Sequence, residues 1–389
     1  MRSLGAGPCI FPLFAIALVE GAQWLLSRNM RVSRGVVICF AYVLFTAVYG
    51  LLLFGVRSHG ENLLWKGTTI FISLAAIVFA VKLDYDKSPV VRSAIYVAFT
   101  LVIFGFLFGY ANPLGLPALV ENGVLHFNSM PDLRPRGFAS EASQFSLTAI
   151  IIGLLSVHVA RSRVGKTLLF LLTLGLLIAS GSKGGILTLF ICVILLCIMK
   201  WHSKWYHIII LLFVLLPLGF VLIWLIPNLF PDESFSSSGT VPTRFSMIIC
   251  ALMTVIHDPL GVGLTGFLPA VAKYLPGAMS TLQSIFPFPL NFDEVSDYLV
   301  SSDMVSTKSF FFDQLMRFGI PFVFFFVVFI GSLLKRLVAE RQRVLFIAIL
   351  ASTIAIVTYA PGTGNFAIPI VFGVALNEVR NGPNPSRCE

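Results

Sequence analysis

Charge is scarce in this chain. Only 12% of its 389 residues are Asp, Glu, Lys or Arg, against about 25% in soluble domains. A water-facing surface cannot be built from so few ionised groups, so an ordinary soluble protein is excluded. Cysteine is equally thin. The six thiols, Cys9, Cys39, Cys192, Cys197, Cys250 and Cys388, form no pair with metal-ligand spacing, and four lie in apolar runs. That argues against a disulfide framework and a zinc site, and makes them packing residues. Internal repeats and low-complexity tracts are also missing. So is a cleavable signal peptide, because no basic cluster precedes the first apolar run and no small-residue cleavage site follows it. The net charge of +9 comes from Lys and Arg scattered through short loops. It forms no stripe that would suit a nucleic acid, and no nucleic-acid partner is expected.

What fills the chain is hydrocarbon. Hydrophobic residues make up 57% of it, with 37 Phe, and the mean hydropathy is +0.91. Runs of spanning length occur near 9–26, 36–55, 66–82, 94–111, 144–160, 165–181, 185–200, 207–229, 310–334, 344–360 and 363–379. Lipid leaves the backbone no water to bond, so such runs read as helices. The predicted fold is an all-α polytopic transmembrane bundle of about eleven spans, residues 1–389 forming a single integral membrane domain. Pro217, Pro321 and Pro369 fall inside runs and predict kinks.

Short loops on one side hold most of the 27 Lys and Arg. That side is expected to be cytoplasmic. The N-terminus is then outside and the C-terminus inside, an arrangement that a helix missing from the start would explain. The opposite face carries two long loops, 112–143 and 230–309. The second is expected to be partly helical, with residues 243–257 a helix along the membrane surface.

Four constellations carry chemistry. The first is Arg134, Arg136, Glu141 and Ser143, set where the first loop meets an apolar run. Charges against hydrocarbon are costly and are retained mainly for function. Arginines there suit bidentate binding of a pyrophosphate, and a partly desolvated carboxylate suits a general base. The plainer alternative is a helix cap with arginines on lipid headgroups. The second is the turn Ser180-Gly-Ser182-Lys183-Gly-Gly185, either an anion-holding nest or a simple hairpin turn. It lacks phosphate-loop spacing. The third runs from Arg244 through His257-Asp-Pro to the glycine-rich piece ending at Phe267. Arg244 is a candidate second ligand for pyrophosphate or sugar, His257 reads as a capping or loop residue ahead of a catalytic one, and the glycines as a turn that seats the loop on the helices. The fourth is Asp313 and Arg317, four apart at the outer end of a helix. It reads as an ion pair or, at Arg317, as a substrate contact.

Together these pieces resemble the O-antigen polymerase and ligase superfamily of bacterial envelope glycan enzymes. The resemblance rests on Arg134 to Ser143, on Ser180, Ser182 and Gly184 with Lys183 where the family tends to carry Arg, on Arg244 and Asp258 to Gly263, and on Gly319-Ile320. It covers roughly residues 130–335. It implies a metal-independent, cofactor-free, inverting glycosyltransferase of the inner (plasma) membrane with its site facing the periplasm. The substrates implied are polyprenyl-pyrophosphate-linked glycans, polymerised into surface polysaccharide or ligated to lipid A core. Membrane lipids, a chain-length regulator and a flippase of the same pathway are the other expected partners. On that reading Glu141, Arg136 and Arg244 are catalytic. Arg134, Ser143, Ser182, Lys183, His257 and Arg317 bind substrate. A flippase of the same lipid-linked units is the rival from another class. Carriers gather ionisable residues at the bilayer midplane, whereas here they gather at one face.

Overall fold

The computed structural model describes residues 34–54, 75–77, 80–81, 88–111, 142–182, 184–192, 240–286, 288–300, 305–360 and 367–381. Every regular element among them is a helix. The helices are α1 (Arg34–Phe54), α2 (Pro89–Ala111), α3 (Ala142–Val159), α4 (Arg163–Ala179), α5 (Thr240–His257), α6 (Phe267–Ile285), α7 (Asp293–Val300), α8 (Phe310–Ala339), α9 (Arg343–Thr358) and α10 (Ala367–Asn381). A further helical stretch covers 184–192. Two stretches, Pro89–Leu107 and Phe310–Ala339, are long and apolar enough to cross a membrane. The runs predicted at 9–26 and 207–229 lie outside the described residues.

The helices form two compact units, one holding residues 68–196 and 329–389 and the other residues 32–67 and 197–328. In the first, α3 packs against α2, α4, α9 and α10. Its sequence is apolar on every side, the pattern of a helix with no outward face. Leu147, Ile150, Ile151, Ile152 and Leu155 are all fully buried. Between helices in lipid the hydrophobic effect supplies little, so close packing and interhelical hydrogen bonds must hold them. The chain provides for this with Ser146, Ala149, Gly153 and Ser156, spaced three, four and three residues apart along α3. At Gly153 a Cβ would run into the side chain of Thr173 on α4, and at Gly185 it would lie 2.7 Å from Ser146. The Ser162 hydroxyl starts α4 by accepting the Gly165 N–H at 3.0 Å, a helix N-cap.

The second unit holds α1, the second long loop and α8 as far as residue 328. The helix expected at 243–257 runs from 240 to 257, and α6 and α7 follow it in the same loop. Met247, Cys250, Phe267, Val271, Leu275, Val295 and Met316 make its core. Cys250, like Cys192 in the first unit, is fully buried as a packing residue.

Here the structure corrects two expectations. α8 breaks at Gly319 (φ 64°, ψ −157°) and not at Pro321. Pro321 falls in the first turn of the restarted helix, where its missing N–H removes no helical bond. Pro369 likewise lies in the first turn of α10 and bends nothing. From Ile320 to Ala339 the restarted helix has 20 residues, about 30 Å at the α-helical rise and so enough to span the hydrocarbon.

The break is filled by the glycine-rich loop. Val262 and Gly263 donate to the carbonyls of Met316 and Arg317, both at 2.9 Å, and Ile320 donates to Pro259 O at 2.8 Å. Gly261 and Gly263 have φ of 82° and 71°. A Cβ at Gly261 would lie 2.6 Å from Gly319 N, and one at Gly263 would lie 2.6 Å from the Gly50 Cα of α1. The loop is therefore seated on helices, as its composition suggested, and no side chain fits between the two strips of backbone. Gly319→Ala is expected to destabilise the protein by more than the roughly 1–3 kcal/mol that a strained backbone position costs. Its Cβ would also press on Gly261 N and Leu260 C, each 2.5 Å away. Gly331→Ala, with open space around it, should be near neutral. Thermal unfolding of both variants in nanodiscs checks the contrast.

Candidate active site

The site residues nearest the first motif sit at the start of α3. Ser143 is half-buried in its first turn, and its carbonyl accepts the Ser146 hydroxyl at 2.8 Å. The Ser146 and Ser182 hydroxyls are 2.9 Å apart. A hydroxyl has one proton, and Ser146 gives its own to Ser143 O, so Ser182 is the donor in the serine pair. Ser182 Oγ in turn accepts the Gly185 N–H at 3.3 Å. One residue earlier the chain turns at Gly181 (φ 60°), and Ser180 Oγ donates to Leu177 O at 2.8 Å. Ser180, Ser182 and Ser146 are all buried.

The turn at 180–185 is thus more than a hairpin. Its buried hydroxyls tie it to the first turn of α3, the helix into which Arg134 to Ser143 leads. The structure brings two of the predicted residues together, Ser143 and Ser182, through Ser146. Arg134, Arg136, Glu141 and Lys183 lie outside the described residues. Ser146 itself escaped sequence reading, because a lone hydroxyl in an apolar run ordinarily bonds only its own helix. The available signal was its spacing, three residues after Ser143 on the same helix face. A second hydroxyl contact supports the same hairpin. Thr188 Oγ1 donates to Gly184 O at 2.7 Å and lies 3.5 Å from the Tyr359 hydroxyl. The Tyr359 ring lies 3.4 Å from where a Gly184 Cβ would stand.

Arg244, His257 and Arg317 all fall in the second unit. Arg244 is half-buried on α5, one residue after the fully buried Thr243. His257 ends α5. Its Nδ1 is 2.8 Å from Met253 O, and only an N–H can face a carbonyl, so Nδ1 carries the proton. The ring stacks on Tyr274 at 5.1 Å. The bond closes on the residue's own last turn and fixes the ring at the end of α5.

Arg317 departs from expectation. Asp313 does not pair with it across the (i, i+4) step. The carboxylate takes the Ser306 hydroxyl at 3.1 Å and the Thr307 N–H at 2.8 Å instead. The competing donors come from the chain just ahead of α8, where a carboxylate near a helix N-terminus is favoured. Asp313 acts on Arg317 only through space. The arginine is 1% exposed, with its guanidinium carbon 4.7 Å over the Phe267 ring. Nearby the reversed backbone of Lys308 (φ 59°) is held by the same loop bonds, and Lys308 Nζ pairs with Glu294 at 3.2 Å.

Each hydroxyl of the serine pair makes one other hydrogen bond besides the bond they share, so removing either should cost about 1–3 kcal/mol, at roughly 0.5–1.5 for each bond lost. Because the two share that bond, Ser146→Ala and Ser182→Ala are expected to be less than additive in a double-mutant cycle. Unfolding of the four proteins in nanodiscs measures it, and full additivity would break the assigned contact.

Comparison with known proteins bears on these same residues. Residues 168–327 match the family described as O-antigen ligase (Wzy_C). That span includes Ser182, Lys183, Arg244, His257 and Arg317 and stops short of Arg134 to Ser143. An uncharacterized 49.5 kDa protein in the cps region of Klebsiella pneumoniae is 27% identical over 393 residues, covering 98% of this chain and 89% of that protein. The chain is thus similar to the O-antigen ligase family over residues 168–327 and to the cps-region protein over nearly its whole length.

Proposed function

We propose that this chain polymerises polyprenyl-pyrophosphate-linked oligosaccharide repeat units into surface polysaccharide at the outer face of the inner membrane. The observation that carries the reading is the serine link. It joins the turn at 180–185 to the helix that begins directly after Glu141, two motifs 40 residues apart that a shared site would need side by side. The topology of about eleven spans, with loops 112–143 and 230–309 outside, supplies the face on which the site opens.

The chemistry follows from the residue types. Arg134, Arg136 and Arg244 neutralise the departing pyrophosphate, with Lys183 at the rim. Stabilising charge as it develops is usually the largest catalytic term. Glu141 takes the proton from the acceptor hydroxyl. That oxygen bonds to the anomeric carbon as the bond to pyrophosphate breaks, with inversion and without metal. Ser143 and Ser182 fix the geometry of the first motif, and His257 holds the end of α5 behind Arg244. The polymerase reading makes the acceptor the non-reducing end of a second lipid-linked unit.

The family description favours a second reading, an O-antigen ligase whose acceptor is lipid A core. Deletion of the gene separates them. Single repeats still attached to core mean polymerase; complete loss of attached glycan means ligase. Reconstitution with a lipid-linked oligosaccharide tests both against a flippase, which would move the substrate across the bilayer without lengthening it. Glu141→Gln should lower turnover roughly 100- to 10,000-fold, the usual worth of a general base, with substrate affinity nearly unchanged. Arg244→Lys should be almost as damaging as Arg244→Ala, since the planar fork of donors is lost in both. A fully active Glu141→Gln enzyme would overturn the assignment of the base.

A further inference from the structure

Arg317 is not alone in its burial. Gln314, one turn earlier on the same face of α8, is also 1% exposed. Nε and Nη1 of Arg317, and both amide atoms of Gln314, are buried without a hydrogen-bond partner among the described residues. Residues three apart on a helix are neighbours, so the two side chains leave α8 on one face, and the Phe267 ring covers the guanidinium. Such burial is expensive. Each unsatisfied buried polar group costs about 1–3 kcal/mol, more when charged. An apolar pair of similar size would avoid that cost.

Charge and hydrogen bonding point to different needs here. The guanidinium charge is partly balanced, by the Phe267 ring at 4.7 Å and by Asp313 acting through space. Bringing in a pyrophosphate would leave a buried net negative charge beside Asp313. Hydrogen bonds are what is lacking, and in a mixed set. Arg317 can only donate, whereas Gln314 can donate and accept. An anion has no proton for the Gln314 carbonyl oxygen, but a hydroxyl both accepts from Arg317 and donates to Gln314.

We propose that Gln314 and Arg317 form a sugar-recognition subsite that binds neighbouring hydroxyls of a neutral sugar in the glycan substrate. This rests on the glycosyltransferase reading above and divides its labour. The arginines of the two outer loops hold pyrophosphate, and this pair reads the sugar. Entry requires the Asp258–Gly263 loop to shift from α8, to which three backbone hydrogen bonds tie it among the described residues.

The test uses the full chain in nanodiscs and two probes, the repeat-unit oligosaccharide released from its lipid by mild acid, and inorganic pyrophosphate. Gln314→Met keeps the bulk and removes the amide. It should weaken oligosaccharide binding roughly tenfold, the effect of about 1.4 kcal/mol, and leave pyrophosphate binding within about twofold. Arg317→Lys should show the same selectivity. If Gln314→Met does not fold, Gln314→Asn, which withdraws the amide by one methylene, takes its place with the same expected loss. An equal loss for pyrophosphate would make this an anion site and overturn the proposal. So would unchanged oligosaccharide binding with a raised unfolding temperature, the mark of a merely unsatisfied amide. Chain lengthening by the unaltered protein is measured in parallel. Its absence would count against the polymerase reading, whereas normal lengthening by a Gln314→Met protein that binds oligosaccharide normally counts against the subsite alone.

Discussion

The burial of α3 on all sides is the constraint from which the first unit follows. A helix with four helical neighbours has no face on which to place a charged group. Its sequence accordingly contains none between Ala142 and Ser156. Where a neighbour comes closest, the side chain shrinks to Gly153 or to the hydroxyl of Ser146. The hydroxyl does two things at once. It satisfies its own helix through Ser143 O and accepts from Ser182. Since both side chains are buried, that contact is not traded against solvent as it would be at a wet surface. The start of α3 is therefore fixed to the 180–185 turn by packing and by hydrogen bonds at the same point, and whatever precedes α3 starts from a fixed anchor.

Helical content was legible because it depends on hydrophobic runs, and runs are local. The segments read at 94–111, 144–160, 165–181, 310–334 and 344–360 all appear as helices. The partly helical second loop was legible in one piece only. Residues 243–257 carry a clean apolar periodicity. α6 contains Pro276 and Gly277 and α7 is eight residues long, features that read as loop. Their helicity depends on burying Phe267, Val271, Leu275 and Val295 in a shared core. A tertiary cause of that kind leaves little trace in a local window.

The break in α8 teaches the same lesson from the other side. Proline is the residue a reader expects to break a helix, and Pro321 sits two positions from the true discontinuity. The cause is the approach of a second backbone. Gly261 and Gly263 let the amides of Val262 and Gly263 reach the carbonyls of Met316 and Arg317, and only Gly319 can take the conformation that leaves Ile320 N free to reach Pro259 O. Four glycines from three segments, Gly50, Gly261, Gly263 and Gly319, serve one contact. In sequence they look like an ordinary glycine-rich turn and two isolated residues.

The site residues divide along the same line. Ser143 and Ser182 could be chosen from their motifs, and the link between them could not. Arg317 could be chosen as a charge at a helix end, but its pairing was misjudged for a physical reason. An (i, i+4) carboxylate was at hand, and spacing alone makes the ion pair look inevitable. Asp313 instead closes the loop ahead of its own helix, where two donors and the helix N-terminus outcompete one arginine. The consequence is that the cation remains dry and short of hydrogen bonds, beside a glutamine in the same condition. A chain so sparing of charge, which packs Cys, Ser and Thr wherever a helix crossing demands, had apolar residues at its disposal for positions 314 and 317. That it carries an amide and a guanidinium there, at a standing cost to stability, is best understood if the cost is offset when a hydroxylated ligand arrives.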